Sequence, residues 1–133
     1  MPNENNTRTY TATIVESNRE LSVQEKVKMK DTRDAISLEK ISREHSVTLG
    51  VTGYAVLAIH NEKSEDKDYY QFLLLDSNGE KYVTGSAAFY NSFRDIWDDL
   101  CDEEMPEEGW PIKVYQLPSK NFTGRNFVTC SLA

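Results

Sequence analysis

The stretch Val47-Thr48-Leu49-Gly50-Val51-Thr52-Gly53-Tyr54-Ala55-Val56-Leu57-Ala58-Ile59-His60 carries no charge and is interrupted only by two glycines. Its β-branched and apolar residues predict a long strand. Glycine inside a strand marks a bulge or a bend, and a long bent strand suits a small barrel. The flanking segments agree. Tyr69 to Leu75 reads as a strand, Asp76-Ser77-Asn78-Gly79 as a hairpin turn, and Glu80 to Thr84 as the returning partner. Asn61 to Asp68 is charged and reads as a loop.

Outward from this centre, Arg8 to Val15 alternates Thr9, Thr11, Thr13 against Tyr10, Ala12, Ile14, which predicts a further strand. Residues 1–6 read as a loose tail. Ser22 followed by Glu25 has capping-box spacing and opens a short helix to about Met29. Asp34 to Ile41 alternates Ala35, Ser37, Glu39 against Ile36, Leu38, Lys40 and reads as a strand. The main helix runs from Ser86 to Leu100, because Phe89, Phe93, Ile96, Trp97 and Leu100 recur at helical spacing. Ile112 to Leu117 and Phe127 to Leu132 are strands joined by a loop over 118–126. Regular strand–helix alternation is absent, so a parallel doubly wound sheet is excluded. The expectation is a mainly β protein: one OB-like antiparallel barrel, closed on itself to hide its edges, with one main helix, in a single domain over 1–133.

The 133 residues hold 15 bases and 22 acids, a net charge of −7. Eight of the acids fall between Asp95 and Glu108, where there is no base. Outside that stretch 15 bases face 14 acids. After Gly109 there is no acid, while Lys113, Lys120 and Arg125 remain. The global charge therefore leaves room for a locally positive face and an anionic ligand. No apolar run approaches the ~18 residues of a membrane span, and Met1 to Tyr10 has no signal-like apolar segment. A cytoplasmic protein with two free thiols, Cys101 and Cys130, is expected.

Catalytic signatures are missing. His45 and His60 stand in no nucleophile or metal-ligand motif. The Asp95–Glu108 carboxylates lack the alternation of a calcium loop and read as a solvated face. No cofactor, no metal and no enzymatic activity are expected. Aromatics beside bases say more: Lys81-Tyr82, Lys113-Val114-Tyr115, and Lys120-Asn121-Phe122 before Arg125. Rings that stack bases, with cations that follow phosphates, are the needs of a single-stranded nucleic-acid site. The same alternation also describes an ordinary half-buried strand.

The order of these pieces carries a resemblance. Tyr70-Gln71-Phe72-Leu73-Leu74-Leu75-Asp76-Ser77-Asn78-Gly79-Glu80-Lys81-Tyr82 is followed by Thr84-Gly85-Ser86 opening the helix, then Ile112-Lys113-Val114, the loop Ser119-Lys120-Asn121-Phe122-Thr123-Gly124-Arg125-Asn126, and the strand Phe127 to Leu132. With Lys30-Asp31-Thr32 and Asp34-Ala35-Ile36 upstream, the chain from Leu21 to Leu132 resembles the single-stranded-DNA-binding proteins of tailed phages of Gram-positive hosts. The resemblance implies an oligonucleotide-binding barrel that coats single-stranded DNA during phage replication or recombination. Bacterial relatives recruit partners through an acidic tail; here the strand Phe127 to Leu132 is followed by Ala133 alone, so Asp95–Glu108 is the candidate docking segment. The DNA-binding candidates are Lys120, Phe122 and Arg125 in the loop, Lys81, Tyr82, Lys113 and Tyr115 on strands, and Tyr54 and Tyr70 on the barrel wall. Two alternatives stand beside this reading: a protein-interaction module acting through 95–108, and a metal-dependent nuclease using the same carboxylates.

Overall fold

The computed structural model describes residues 9–121 and 123–133. Seven strands form one curled sheet: β1 (Tyr10–Ser17), β2 (Ile36–Ser37), β3 (Val47–Asn61), β4 (Asp68–Asp76), β5 (Lys81–Thr84), β6 (Trp110–Pro118) and β7 (Asn126–Leu132). Among the described residues three helices accompany them: α1 (Val23–Lys30), α2 (Leu38–Ile41) and α3 (Ala87–Leu100). The strand order is β2-β5-β4-β3-β6-β7, with β1 also on β3. All pairings are antiparallel except the two-residue β2–β5 contact. The protein is mainly β, a half-barrel consistent with the expected OB-like architecture.

β3 is the spine. Along one edge it pairs with β4 from Val51 to His60. Along the other it serves β6 over Val47–Val51 and β1 over Ala55–Asn61. The break between the two partners coincides with a bulge at Thr52, where Val51 pairs with Asp76 but Gly53 already pairs with Leu75. The Thr52 hydroxyl donates to the Leu75 and Asp76 carbonyls at 3.2 and 3.4 Å. The extra residue shifts the side-chain parity, so Leu49 and Val51 before it and Tyr54 after it all enter one core. Asn18 patches the ladder in the gap: its side-chain oxygen accepts from the Tyr54 amide at 2.9 Å and its own amide donates to the Tyr54 carbonyl at 3.2 Å.

That core lies between the inner face of the sheet and α3, whose Phe89, Phe93 and Trp97 are buried against Leu74, Ile112, Val114 and Val128. Ser86 caps α3, accepting from the Phe89 amide at 3.1 Å. A second core, on the other side of the sheet, joins Leu57, Ile59 and Leu73 to Leu21 and Met29. Met29 belongs to α1, which has the full capping box expected between Ser22 and Glu25. β4 thus sends Leu73 to one core and Leu74 to the other, because successive strand residues face opposite sides.

Two expectations are corrected. Asp34 to Ile41 is not one strand: only Ile36 and Ser37 pair, and Leu38–Ile41 turns into α2. Ser37 supplies the cap by accepting from the Lys40 amide at 3.3 Å, and the helical turn sends Leu38 and Ile41 together into the α3 core. Nor is the barrel closed by strands. β2 and β7 end the sheet, and the gap between them is filled by α2 and α3, both of which pack on β7.

The start of β6 is held by a close backbone approach. A Cβ on Gly50 would lie 2.0 Å from the Glu108 carbonyl oxygen, and Gly109, at φ +83°, lies against Gly50 in turn. Gly50→Ala should therefore lower unfolding free energy by about 3 kcal/mol in a denaturant titration, because backbone must move. Gly79→Ala, at the same φ but facing open space, should cost only about 1–2 kcal/mol. Equal costs would show that the close approach of Glu108 is unimportant.

Candidate nucleic-acid interface

β6 and β7 form a two-sided hairpin. Ile112 and Val114 are fully buried toward α3, and the residues between them point the other way. The register places Thr48, Lys113 and Ser131 in one row across β3, β6 and β7, Tyr115 beside Thr129 in the next, and Leu117 beside Phe127 beyond. Thr48, Lys113 and Leu117 are exposed, while Tyr115, Phe127 and Ser131 are half-buried. The Lys113 ammonium lies 5.8 Å from the centre of the Tyr115 ring, a cation–π distance.

The hairpin loop prolongs this face. Ser119 donates its amide to the Arg125 carbonyl at 2.8 Å, and Gly124 turns the chain back with φ +81°. Lys120 and Arg125 are exposed. An open groove of about 700 Å³ runs between Leu117, Pro118, Lys120, Asn121 and Phe127 of the hairpin and Ala88 of α3. Ala88 is in the first turn of α3, which contains no acid, so the positive end of the helix dipole lies beside Lys120.

All eight acids from Asp95 to Glu108 are exposed. The five from Asp102 to Glu108 precede β6, whose nine residues set them roughly 25–30 Å from the hairpin loop, well over the ~10 Å screening length at 0.1 M salt. Asp95, Asp98 and Asp99 lie on α3, whose first turn lines the hairpin groove, and Asp98 is paired with Arg94. Among the described residues, no group of three or more carboxylates, histidines or cysteines is arranged to hold a metal ion.

The candidate residues separate into three sets. Lys113, Tyr115, Lys120 and Arg125 are brought together on the hairpin. Tyr70 is 59% exposed but pairs with Ala58 near the far end of β3. Lys81, Tyr82 and Tyr54 are committed to the interior. Tyr82 is 8% exposed and donates to the Asp76 carboxylate at 3.0 Å; burial, aided by that carboxylate, pushes its hydroxyl up to about 12. Tyr54 is 4% exposed and donates to Glu16 at 2.9 Å, and burial raises its pKa as well. Phe122 lies outside the described residues.

Lys81 closes α1 rather than facing solvent. With its side chain 16% exposed, it donates to the Lys28 carbonyl at 2.8 Å and to the Asp31 carbonyl, and pairs with Asp34 at 3.7 Å. The Lys28 carbonyl also accepts from the Asp31 amide at 3.3 Å, so Lys81 adds a second donor at the end of the helix.

Sequence reading also missed a charge cluster between β1, β3 and α3. Glu16 accepts from Tyr54 and from Tyr90 at 2.7 Å and pairs with Arg94, which also binds Asp98 at 3.0 Å. The Arg94 guanidinium lies 5.3 Å from the Tyr54 ring centre. Burial, followed by Tyr54, pushes the Tyr90 hydroxyl up to about 12. The i, i+4 spacing of Arg94 and Asp98 was legible; the partner 78 positions upstream was not.

Neither histidine sits on the hairpin. His60 is held between Asp68, 2.7 Å from Nδ1, and Glu62 at Nε2. Hydrogen bonding to Asp68, then to Glu62, raises its pKa above the usual 6.5. Compared with protein-family models, curated proteins and solved structures, the chain matches none of them. No described helix is long and apolar enough to cross a membrane.

Two outcomes follow from these placements. Lys81→Met should lower unfolding free energy by about 1–3 kcal/mol, by unmaking the hydrogen bonds to the carbonyls, and leave oligonucleotide affinity unchanged; an affinity loss in a stable variant would return Lys81 to the interface. For His60, a folded-state pKa above the unfolded one gives a stabilising contribution fully present below about pH 6.5 and lost as pH rises through the folded value. Imidazole resonances followed by NMR should titrate above 6.5, and His60→Gln should flatten the fall in stability over that window.

Proposed function

We propose that the β6–β7 face binds single-stranded DNA without sequence preference and without catalysis, coating and protecting the strand during phage replication or recombination. The observation that carries the reading is the arrangement around Tyr115. A partly open ring lies beside Lys113, on a hairpin whose loop adds Lys120 and Arg125, in a segment with no acid from Gly109 onward. Bases stack on rings at about 1–3 kcal/mol each, and lysine and arginine follow the phosphates. Phe127 and Leu117 supply apolar surface in the next row, and the groove toward α3 offers a phosphate the positive end of the helix beside Lys120. The choice of DNA, and of a phage setting, rests on the resemblance of the Tyr70–Leu132 segment order to phage single-stranded-DNA-binding proteins.

The exposed Asp95–Glu108 segment favours a second role in the same protein. Among the described residues, only Asp98 of its eight acids has an ion-pair partner. An unneutralised run of this kind suits a basic protein partner and repels a nucleic-acid strand from that end of the molecule.

Titration with a poly-dT oligonucleotide tests the main reading. Affinity should fall linearly with salt on a log–log plot, at about −0.7 per phosphate bound. The slope should be shallow, because few bases line the face, and duplex DNA should bind more weakly. Tyr115→Ala should lose roughly 1–3 kcal/mol of binding with little change in melting temperature. A preference for duplex, or unchanged affinity in Tyr115→Ala, would reject stacking on this face.

A further inference from the structure

The sheet ends at three strands, β2, β7 and β1. Two of these edges are protected. β2 is two residues long, and β7 is packed against α2 and α3. The third is the outer edge of β1, which pairs with β3 and with no other strand among the described residues. The Glu62 amide donates to the Thr9 carbonyl at 2.8 Å. Thr9–Glu62 is therefore a hydrogen-bonded pair and, by alternation along the ladder, so are Thr11–His60 and Thr13–Ala58. The N–H and C=O groups of Tyr10, Ala12 and Ile14 point away from β3. None of these six groups has a partner among the described residues.

This edge carries none of the side chains that keep an edge strand from pairing. From Thr9 to Val15 there is no charge and no proline. Tyr10 and Val15 are 46% and 55% exposed. The bulge between Ile14 and Glu16 limits the regular free run to Tyr10–Ile14. That run is self-complementary. A twofold axis through Ala12, perpendicular to the sheet, sets Ala12 against Ala12 of a second copy and Tyr10 against its Ile14, each as a hydrogen-bonded pair. All six free groups of each strand are then used. An axis through Thr11 or Thr13 would pair only two of the three residues within the run. With the axis at Ala12, Thr11 falls opposite Thr13 of the second copy. Ala12 and Ile14 pack on the core of Leu57, Ile59 and Leu73, and Tyr10 shares their parity. Pairing Tyr10 with Ile14 therefore joins that core to its counterpart. Aromatic with β-branched and threonine with threonine are favourable cross-strand pairs, and the contact buries no charge.

We infer that the protein pairs with a second copy of itself through β1, Tyr10–Ile14 antiparallel to Tyr10–Ile14, in one continuous sheet across a twofold axis. A contact through so short a run is small against the about 1,200–2,000 Å² of a stable interface, so the dimer forms reversibly and dissociates on dilution. β1 occupies the Ala55–Asn61 end of β3, whereas β6 joins at the Val47–Val51 end. Pairing through β1 uses none of the residues of the proposed nucleic-acid face, so it stands or falls independently of DNA binding.

Sedimentation equilibrium of the full chain over a range of concentrations tests the pairing, with amide hydrogen exchange followed by NMR in parallel. A monomer–dimer equilibrium is expected in which the Tyr10, Ala12 and Ile14 amides gain protection as concentration rises. The Thr11 and Thr13 amides, bonded to β3, should be protected throughout. Two double variants test the register. Thr11→Lys/Thr13→Lys sets like charges opposite each other on both sides of the axis and should raise the dissociation constant at least about tenfold, with melting temperature unchanged. Thr11→Lys/Thr13→Glu sets opposite charges in the same places and should dimerise at least as tightly as the wild type. Ala12→Pro removes an outward N–H and no bond to β3. It should weaken the dimer likewise, which keeps the pairing testable if the charged variants fold poorly. A monomer at every concentration, a dimer whose Tyr10, Ala12 and Ile14 amides stay unprotected, or equal weakening by the two charge variants would overturn the inference.

Discussion

The extra residue at Thr52 is the constraint on which the rest of the molecule depends. β3 is fifteen residues long and pairs with three strands. Without the bulge, a strict two-residue period would send Leu49 and Val51 to one side of the sheet and Tyr54 to the other. With it, all three reach the α3 core, and the strand bends where β6 leaves its edge and β1 begins. The glycines of this stretch have separate tasks. Gly50 lets the Glu108 carbonyl come close, so that β6 can start beside β3. A Cβ at Gly53 would meet the Asn18 side-chain oxygen at 2.8 Å, the atom that accepts from Tyr54.

The same junction partitions the charge. Because β6 is anchored at Gly109, the acids from Asp102 to Glu108 stay at one end of the strand, and Lys120 and Arg125 project from the loop at the other. A net charge of −7 then governs solubility and long-range repulsion, while Lys113 lies beside Tyr115 and Lys120 and Arg125 stand further along the hairpin. The proposed function asks an acidic chain with one locally basic hairpin to admit an anion from that direction.

Much of this was legible. The α3 stripe, the Ser22–Glu25 box, the Asp76–Gly79 turn and the glycine-bent spine each rest on local chemistry, and local chemistry is what a sequence records. What failed has one physical origin. Alternation divides a strand into two faces without saying which is covered, and here α1 and α3 cover both faces of the central strands. Tyr82 and Tyr54 therefore point into the α3 core although each sits in a pattern that also fits an exposed ring. Lys81, which faces the other way, meets the end of α1 instead of solvent. On β6 Lys113 is exposed and Tyr115 half-buried, while the facing Thr129 of β7 is buried against Ser92 of α3. The α2 turn escapes alternation for a related reason: Ile36, Leu38, Ile41 has a strand's spacing at its first step and a helix's at its second, and the Ser37 cap decides between them.

Exposure alone does not choose the stacking ring. Tyr70 is more open than Tyr115, and it lies among Thr11, Thr13, Ala58 and His60 in a shallow depression. A base could rest there, but its phosphates would meet Asp68, with Glu62 beyond His60. Beside Tyr115 they meet cations. The Lys113 ammonium now sits over the Tyr115 ring, an attraction worth about 0.5–1 kcal/mol at an exposed site. An arriving base would displace it toward a phosphate and replace it with stacking of about 1–3 kcal/mol. The exchange gains on both counts, because the cation leaves a ring for an anion as the ring gains a base. At Tyr70 the same stacking energy would be opposed by Asp68 and Glu62, whose carboxylates are already engaged with His60 and Lys67. Local charge, rather than ring exposure, is what favours the β6–β7 face over Tyr70 in the proposed reading.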